Sequence, residues 1–194
     1  SIFSIFYRHY INCTIKKYNT LYERAKMIPF QGSGLYVGES PEKTVSDTTH
    51  VIMCDFKDYD KFTCFDNLYD YIYLDDIIQK LDSLEDIFKK SYKAIRPGGY
   101  VFAKVPDFKL YEKYIWPSIY MIDHKLSFSN EVTRSETNRA NHWHTDDLTL
   151  LSEQIGYQRF CFDVDDENFD YDKPLLENQS KNGASCHLIL KFKK

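Results

Sequence analysis

Three groups of residues in this chain carry side chains able to do chemistry. The first is Asp123-His124, with Asp107 and Glu112 a short way upstream. Histidine titrates nearest neutral pH, and an adjacent carboxylate can raise its basicity or fix its tautomer, so His124 is a candidate general base. Asp107 and Glu112 can orient acceptor hydroxyls or act as the base themselves. The same His124 also suits an ordinary loop position bonded to a backbone group. The second group is His142-Trp-His-Thr-Asp146, whose order can supply two imidazoles and a carboxylate to zinc. Thr145 and Asp146 equally suit the cap and first turn of a following helix, and no partner motif lies nearby, so no metal is expected. His142 and His144 are then placed along an acceptor pocket. The third group is acidic. Asp75 and Asp76 adjoin at the end of an apolar run, while Asp165, Asp166, Glu167, Asp170 and Asp172 share one loop. That loop lacks the central Gly and the correctly spaced Glu of a calcium site, which makes it a solvated turn.

These residues need elements to position them. Short apolar runs bounded by turn residues, at 34–38, 50–55 and 69–74, suit strands buried on both faces, as in a parallel sheet covered by helices. Leu84, Ile87, Phe88, Ser91 and Ile95 line one helical face behind a capping box of Ser83 and Asp86. Arg96-Pro-Gly-Gly99 stops that helix, and Tyr100 to Val105 is the next strand, completing a βαβ crossover. A long excursion follows to Trp143. After it come a helix from about Asp146 to Ile155, capped by Thr145 and stopped by Gly156, a strand 159–164 and a final strand 187–192. Near the start, Ile11, Ile15, Tyr18, Tyr22 and Ala25 recur at helical spacing, and Pro29 with Gly32-Ser33-Gly34 ends that helix. The expected layout is an N-terminal helical segment 1–33 and a domain 34–194 with no internal repeat or linker.

Tyr69-Asp-Tyr-Ile-Tyr-Leu-Asp-Asp76, the helix after it, and Ala94-Ile-Arg-Pro-Gly-Gly-Tyr-Val-Phe-Ala-Lys-Val-Pro-Asp107 resemble the second half of a class I S-adenosylmethionine (SAM) methyltransferase over about forty contiguous residues. The closing strand pair is similar to that family's antiparallel hairpin at the sheet edge. Val105-Pro-Asp-Phe-Lys-Leu-Tyr-Glu112, Trp116-Pro-Ser118 and Asp123-His-Lys-Leu-Ser-Phe128 resemble a group of small methyltransferases associated with surface-sugar modification. The resemblance implies an α/β, Rossmann-like, mostly parallel sheet flanked by helices, with an antiparallel C-terminal hairpin strand and some elements trimmed. It implies SAM as cofactor, held by Gly38, Glu39, Asp55, Phe56, Leu74 and Asp75. It implies O-methylation of a sugar or other small hydroxylated acceptor, with His124 and Asp107 catalytic and Tyr111, Glu112, His142 and His144 on the acceptor.

The chain departs from the family where the cofactor sits. Gly38-Glu-Ser-Pro-Glu42 keeps one glycine where relatives carry several. Asp55 follows Gly38 by 17 residues, near the roughly 20 expected of a ribose-gripping acid. Only 13 residues then separate Asp55 from Tyr69, too few for another helix and strand, so either a strand is absent or Asp55 belongs to the later strand facing adenine. The usual Glu-His pair is Gln79-Lys80 here. A catalytically inactive, methyltransferase-like binding or scaffold domain is therefore the alternative.

Composition excludes other classes. At 194 residues, with 43% hydrophobic and 28% charged residues and only 7 Gly and 6 Pro, the chain should fold around one core. Lys and Arg number 25 against 29 Asp and Glu, so no basic field invites nucleic acid. The most lipid-like stretch, Ser1 to Tyr7, falls far short of the roughly 18 residues of a membrane span. Five cysteines, odd in number and without a CxxC pair, fit neither a disulfide framework nor a zinc site and point to a reducing, cytoplasmic compartment. The 16 Tyr and 14 Phe come with abundant Lys, Ile, Asn and Asp, as AT-rich coding would give. Ser1 in place of Met leaves open a processed chain or one domain of a longer polypeptide.

Overall fold

The computed structural model describes residues 32–39 and 50–194. The expected helix over Ile11 to Ala25 and the stretch Ser40 to Glu42 lie outside the described residues.

Alternation along the strands builds one six-stranded sheet. Its members are β1 (Ser33–Gly38), β2 (His50–Asp55), β3 (Tyr69–Asp75), β4 (Ile95–Pro106), β7 (Arg159–Asp165) and β8 (His187–Lys193), in the order β2-β1-β3-β4-β8-β7. β2, β1, β3 and β4 are parallel, and β8 and β7 close the sheet antiparallel. This is the Rossmann-like α/β architecture that the resemblance implies. β2 lies beside β1, and among the described residues no strand intervenes between β2 and β3 along the chain, so the absent-strand reading of the short gap holds. That gap holds instead a 3-10 turn at Phe56–Asp58 and the four-residue helix α1 (Tyr59–Phe62).

The two sheet faces differ in chemistry. Leu35, Val37, Ile72, Leu74, Val101, Ala103, Leu188, Leu190 and Phe192 point one way and form the aliphatic core. Helix α2 (Glu85–Ala94) buries Ile87, Phe88, Ser91 and Ala94 against it, and α4 (Thr145–Ile155) adds Leu148 and Leu151. The opposite face carries Tyr36, Tyr71, Tyr73, Phe102, Lys104 and Lys191, where Tyr36 stacks on Tyr73 and Tyr100 on Phe102.

Two caps differ from expectation. Helix α2 starts at Glu85 after Leu84, which makes no side-chain cap; Glu85 and Asp86 instead place negative charge in the first turn, favourable at a helix N-terminus. Helix α4 is capped by His144 rather than Thr145: the His144 ring accepts from Asp146 N, and Asp147 Oδ2 returns the bond to His144 N. Gly156 ends α4 at φ 112°, a left-handed position that suits glycine.

The excursion from Asp107 to His144 is tied down by a two-stranded parallel pair, β5 (Ser127–Ser129) and β6 (His142–His144), with the short helix α3 (Arg134–Thr137) between them. Among the described residues, no helix is long and apolar enough to cross a membrane.

Candidate active site

Open α/β sheets bind ligands beyond the carboxyl ends of their strands, where the strand order reverses. Here that point lies between β1 and β3, since the chain leaves β1 for β2 on one side and returns to β3 on the other. Topology therefore brings Gly38 and Glu39, Asp55, Asp75 and Asp76, and Asp107 to one edge.

Lys104 sits opposite Asp75 in the β3–β4 register and is 7% exposed. Its Nζ lies 2.7 Å from Asp75 Oδ1 and 2.9 Å from Asp76 Oδ2. The Tyr36 hydroxyl donates to Asp75 Oδ2, and His187 Nε2 is 3.5 Å from Asp76 Oδ1. Burial alone would push the Lys104 ammonium down, but Asp75 and Asp76 hold it well above its ordinary value. Lys80, in the turn after β3, bridges Glu39 at 2.9 Å and Asp123 at 2.8 Å, linking the segment after β1 to the excursion.

The excursion delivers a second cluster. Asp107 Oδ1 accepts from Lys109 N and Leu110 N at 2.8 Å each, and its backbone oxygen accepts from Tyr111 N at 2.9 Å. These bonds shape a turn that presents Tyr111 and Glu112. Asp107 is 2% exposed, and burial pushes its carboxyl up to about 6 against the pull of the two backbone donors. Gln79 O accepts from Lys125 N and Leu126 N at 2.8 and 2.9 Å, fixing the segment that carries His124. Glu112 Oε1 then meets His124 Nδ1 at 2.6 Å, with both side chains buried. With Glu112 ionised, Nδ1 carries the proton and Nε2 has the lone pair of a base, a tautomer assigned from this hydrogen bond. Nε2 makes no hydrogen bond among the described residues. The Tyr111 ring lies 5.8 Å from His124 and 6.2 Å from His187, joining the two clusters.

Other expected site residues are placed differently. Among the described residues Asp123 makes no ion pair with His124; Lys80 bonds its carboxylate and holds it below its ordinary value. Asp55 Oδ1 accepts from Lys57 N, capping the turn after β2. Phe56 packs against the core with its ring 6.0 Å from Tyr59, and the Leu74 side chain is wholly within the aliphatic core. His142 is fully buried, with Nδ1 at 2.7 Å from Ser127 Oγ and Nε2 at 2.7 Å from Val132 O. Burial pushes its imidazole down, so both nitrogens serve the framework and leave none for a ligand. His144 is the cap described above and lines, with Arg134 and Arg139, an open hollow of about 710 Å³. Among the described residues, no group of three or more His, Cys, Asp or Glu side chains is arranged to hold a metal ion.

Lys104, Tyr36 and His187 join this edge without having stood out in the sequence, and Lys80 had stood out only as part of the Gln79-Lys80 replacement. Lys104 carried a usable signal. A lysine in a run expected to be buried on both faces needs carboxylates, and Asp75-Asp76 at the end of the preceding strand supply them.

No family model matches the sequence, and no curated protein matches it significantly. Solved structures match its fold. A SAM-dependent methyltransferase from Archaeoglobus fulgidus superposes with TM-score 0.55 at 10% identity, over 94% of this chain and 92% of its own. A SAM-dependent methyltransferase from Thermotoga maritima gives 0.51 at 14% identity, over 94% and 97%. The Haemonchus contortus phosphoethanolamine N-methyltransferase 2, solved with phosphomonomethylethanolamine and S-adenosylhomocysteine, gives 0.53 at 11% identity, over 93% of this chain and 53% of its own. The chain thus has the Rossmann-like fold found in SAM-dependent methyltransferases.

Proposed function

We propose that this protein is a SAM-dependent methyltransferase acting on an oxygen of a sugar or another small hydroxylated acceptor. The observation that carries the reading is the buried His124–Glu112 pair beside the carboxyl edge of β4, with Nε2 left as a base.

The edge suits SAM chemically. The cofactor presents ribose hydroxyls, amino groups and a positive sulfonium, all of which seek acceptor oxygens or negative charge. Glu39, Asp55 and Asp75 border the crevice with the backbone of Gly38, and Phe56 adds an apolar surface beside Asp55. Asp76 Oδ1 is buried and makes no hydrogen bond among the described residues, with His187 Nε2 3.5 Å away. When bound, SAM supplies a methyl group on sulfur that is open to in-line attack. His124 Nε2 takes the acceptor hydroxyl's proton, and Glu112 holds Nδ1–H and stabilises the imidazolium that results. Asp107 acts through the turn that aims Tyr111 and Glu112, and Tyr111 borders the acceptor. The described cysteines, all free, suit a reducing compartment such as the cytoplasm.

A scaffold reading is favoured by one observation: Tyr36 with Asp75 and Lys80 with Glu39 tie the ends of β1 and β3 together across the crevice. Calorimetric titration with SAM and S-adenosylhomocysteine separates the two readings. Saturable binding of either supports the enzyme, and no binding of either at millimolar concentration leaves only the scaffold.

A further inference from the structure

We infer that the hydroxylated acceptor also carries an ammonium group, as an amino sugar does, and that the free oxygen of Glu112 receives it. The inference rests on reading His124 as the base of a methyl-transfer site and adds the chemical class of what lies beside that base.

Glu112 is 2% exposed, and only one of its oxygens is used, by His124. Oε2 is buried and has no hydrogen-bond partner among the described residues. A buried carboxylate oxygen left unpaired bears its desolvation cost without return, so it marks a place for a donor. Gln79, also 2% exposed and bonded through its carbonyl to the His124 segment, has a second buried oxygen without a partner. Two unsatisfied acceptors thus belong to residues bonded to His124 or to the segment that carries it.

Charge points the same way. Glu39, Asp75, Asp76, Glu112 and Asp123 place five carboxylates on this edge against the two ammonium groups of Lys80 and Lys104, each already shared between two carboxylates. Nearby, Lys109 is paired with Glu131 and Lys125 with Asp82. Lys113 donates to Leu110 O. Arg139 is the basic group that acts on Glu112 through space; among the described residues its guanidinium makes no ion pair with that carboxylate, lies 4.9 Å from each of the Phe108 and Trp116 rings, and keeps a buried Nη1 without a partner. Beside His124 lies the Tyr111 ring and, edge-on to it at 6.0 Å, the Tyr120 ring, over which Lys181 Nζ sits 5.9 Å from the centroid. Carboxylate and aromatic faces together are the usual recognition of an ammonium ion.

The test is calorimetric titration of the whole chain with glucosamine, glucose and glucose 6-phosphate, with SAM titrated separately. The inference expects glucosamine to bind about tenfold or more tighter than glucose, and glucose 6-phosphate to bind weakest. Glu112→Gln, checked for folding by its melting transition, should erase the glucosamine advantage; Gln79→Leu should reduce it. Equal binding of glucosamine and glucose, binding of neither, or a preference for the phosphate overturns the inference. SAM binding without an amine preference removes this inference and leaves methyl transfer standing; an amine preference without SAM binding removes methyl transfer and, with it, the amine's role as acceptor.

Discussion

The two sides of the crevice treat their carboxylates differently. On the β1–β3 side, Glu39 is bound to Lys80, Asp55 caps its own turn, and Asp75 is held by Tyr36 and Lys104. On the excursion side, Glu112 and His124 make one bond to each other and keep Oε2 and Nε2 unpaired among the described residues. On the proposed reading the acceptor side would be organised before any ligand arrives, and the cofactor side would exchange its own contacts for those of a ligand. Such exchange lowers affinity by the free energy of the contacts given up.

Four substitutions break or sharpen that contrast. The largest effect is expected for His124→Ala, which should lower kcat about 10²–10⁴-fold while leaving SAM affinity nearly intact; unchanged turnover in a methyl-transfer assay removes His124 from the reaction. Next is Lys104→Met, which leaves Asp75 and Asp76 partly buried without their cation. It should cost about 3–5 kcal/mol in urea unfolding, and a loss under 1 kcal/mol would show that water already screens the cluster.

Asp107→Asn follows, with a pH signature. Burial raises the Asp107 carboxyl from 3.8 to about 6, so the folded chain holds this proton more tightly than the unfolded one. This group's contribution is most favourable below its ordinary value and declines as pH rises toward about 6. Asparagine keeps an acceptor for Lys109 N and Leu110 N but cannot ionise. The variant should match the parent near pH 4 and exceed it by about 2–3 kcal/mol at pH 7; a difference independent of pH contradicts the burial argument. The smallest effect is expected for Asp55→Ala, which should weaken SAM binding by about 1.5–3 kcal/mol through lost charged hydrogen bonds. Unchanged affinity would show that the bond to Lys57 is all this carboxylate does.

Much of the fold was legible because its signals are local. Apolar runs ended by Gly38, Asp55 and Asp75 mark strands buried on both faces, and the 13 residues before Tyr69 were too few for another helix and strand. The site was less legible because its contacts are not local. Asp123 adjoins His124 in sequence, yet its carboxylate pairs with Lys80, and Glu112, twelve positions away, takes the imidazole. His142 reads as polar and available, but pairing of β5 with β6 carries it inside, where Ser127 and the Val132 carbonyl saturate it. Lys104 reads as one charge in an apolar run, and its meaning appears only when register places it across from Asp75.

The most direct test is a crystal structure of the protein grown with S-adenosylhomocysteine. Density for the nucleoside is expected at the ends of β1 and β3, with Tyr36 or Lys80 moved off its carboxylate to admit it. A crevice still closed by Tyr36 on Asp75 and Lys80 on Glu39, with no nucleoside density at saturating ligand, would contradict that expectation.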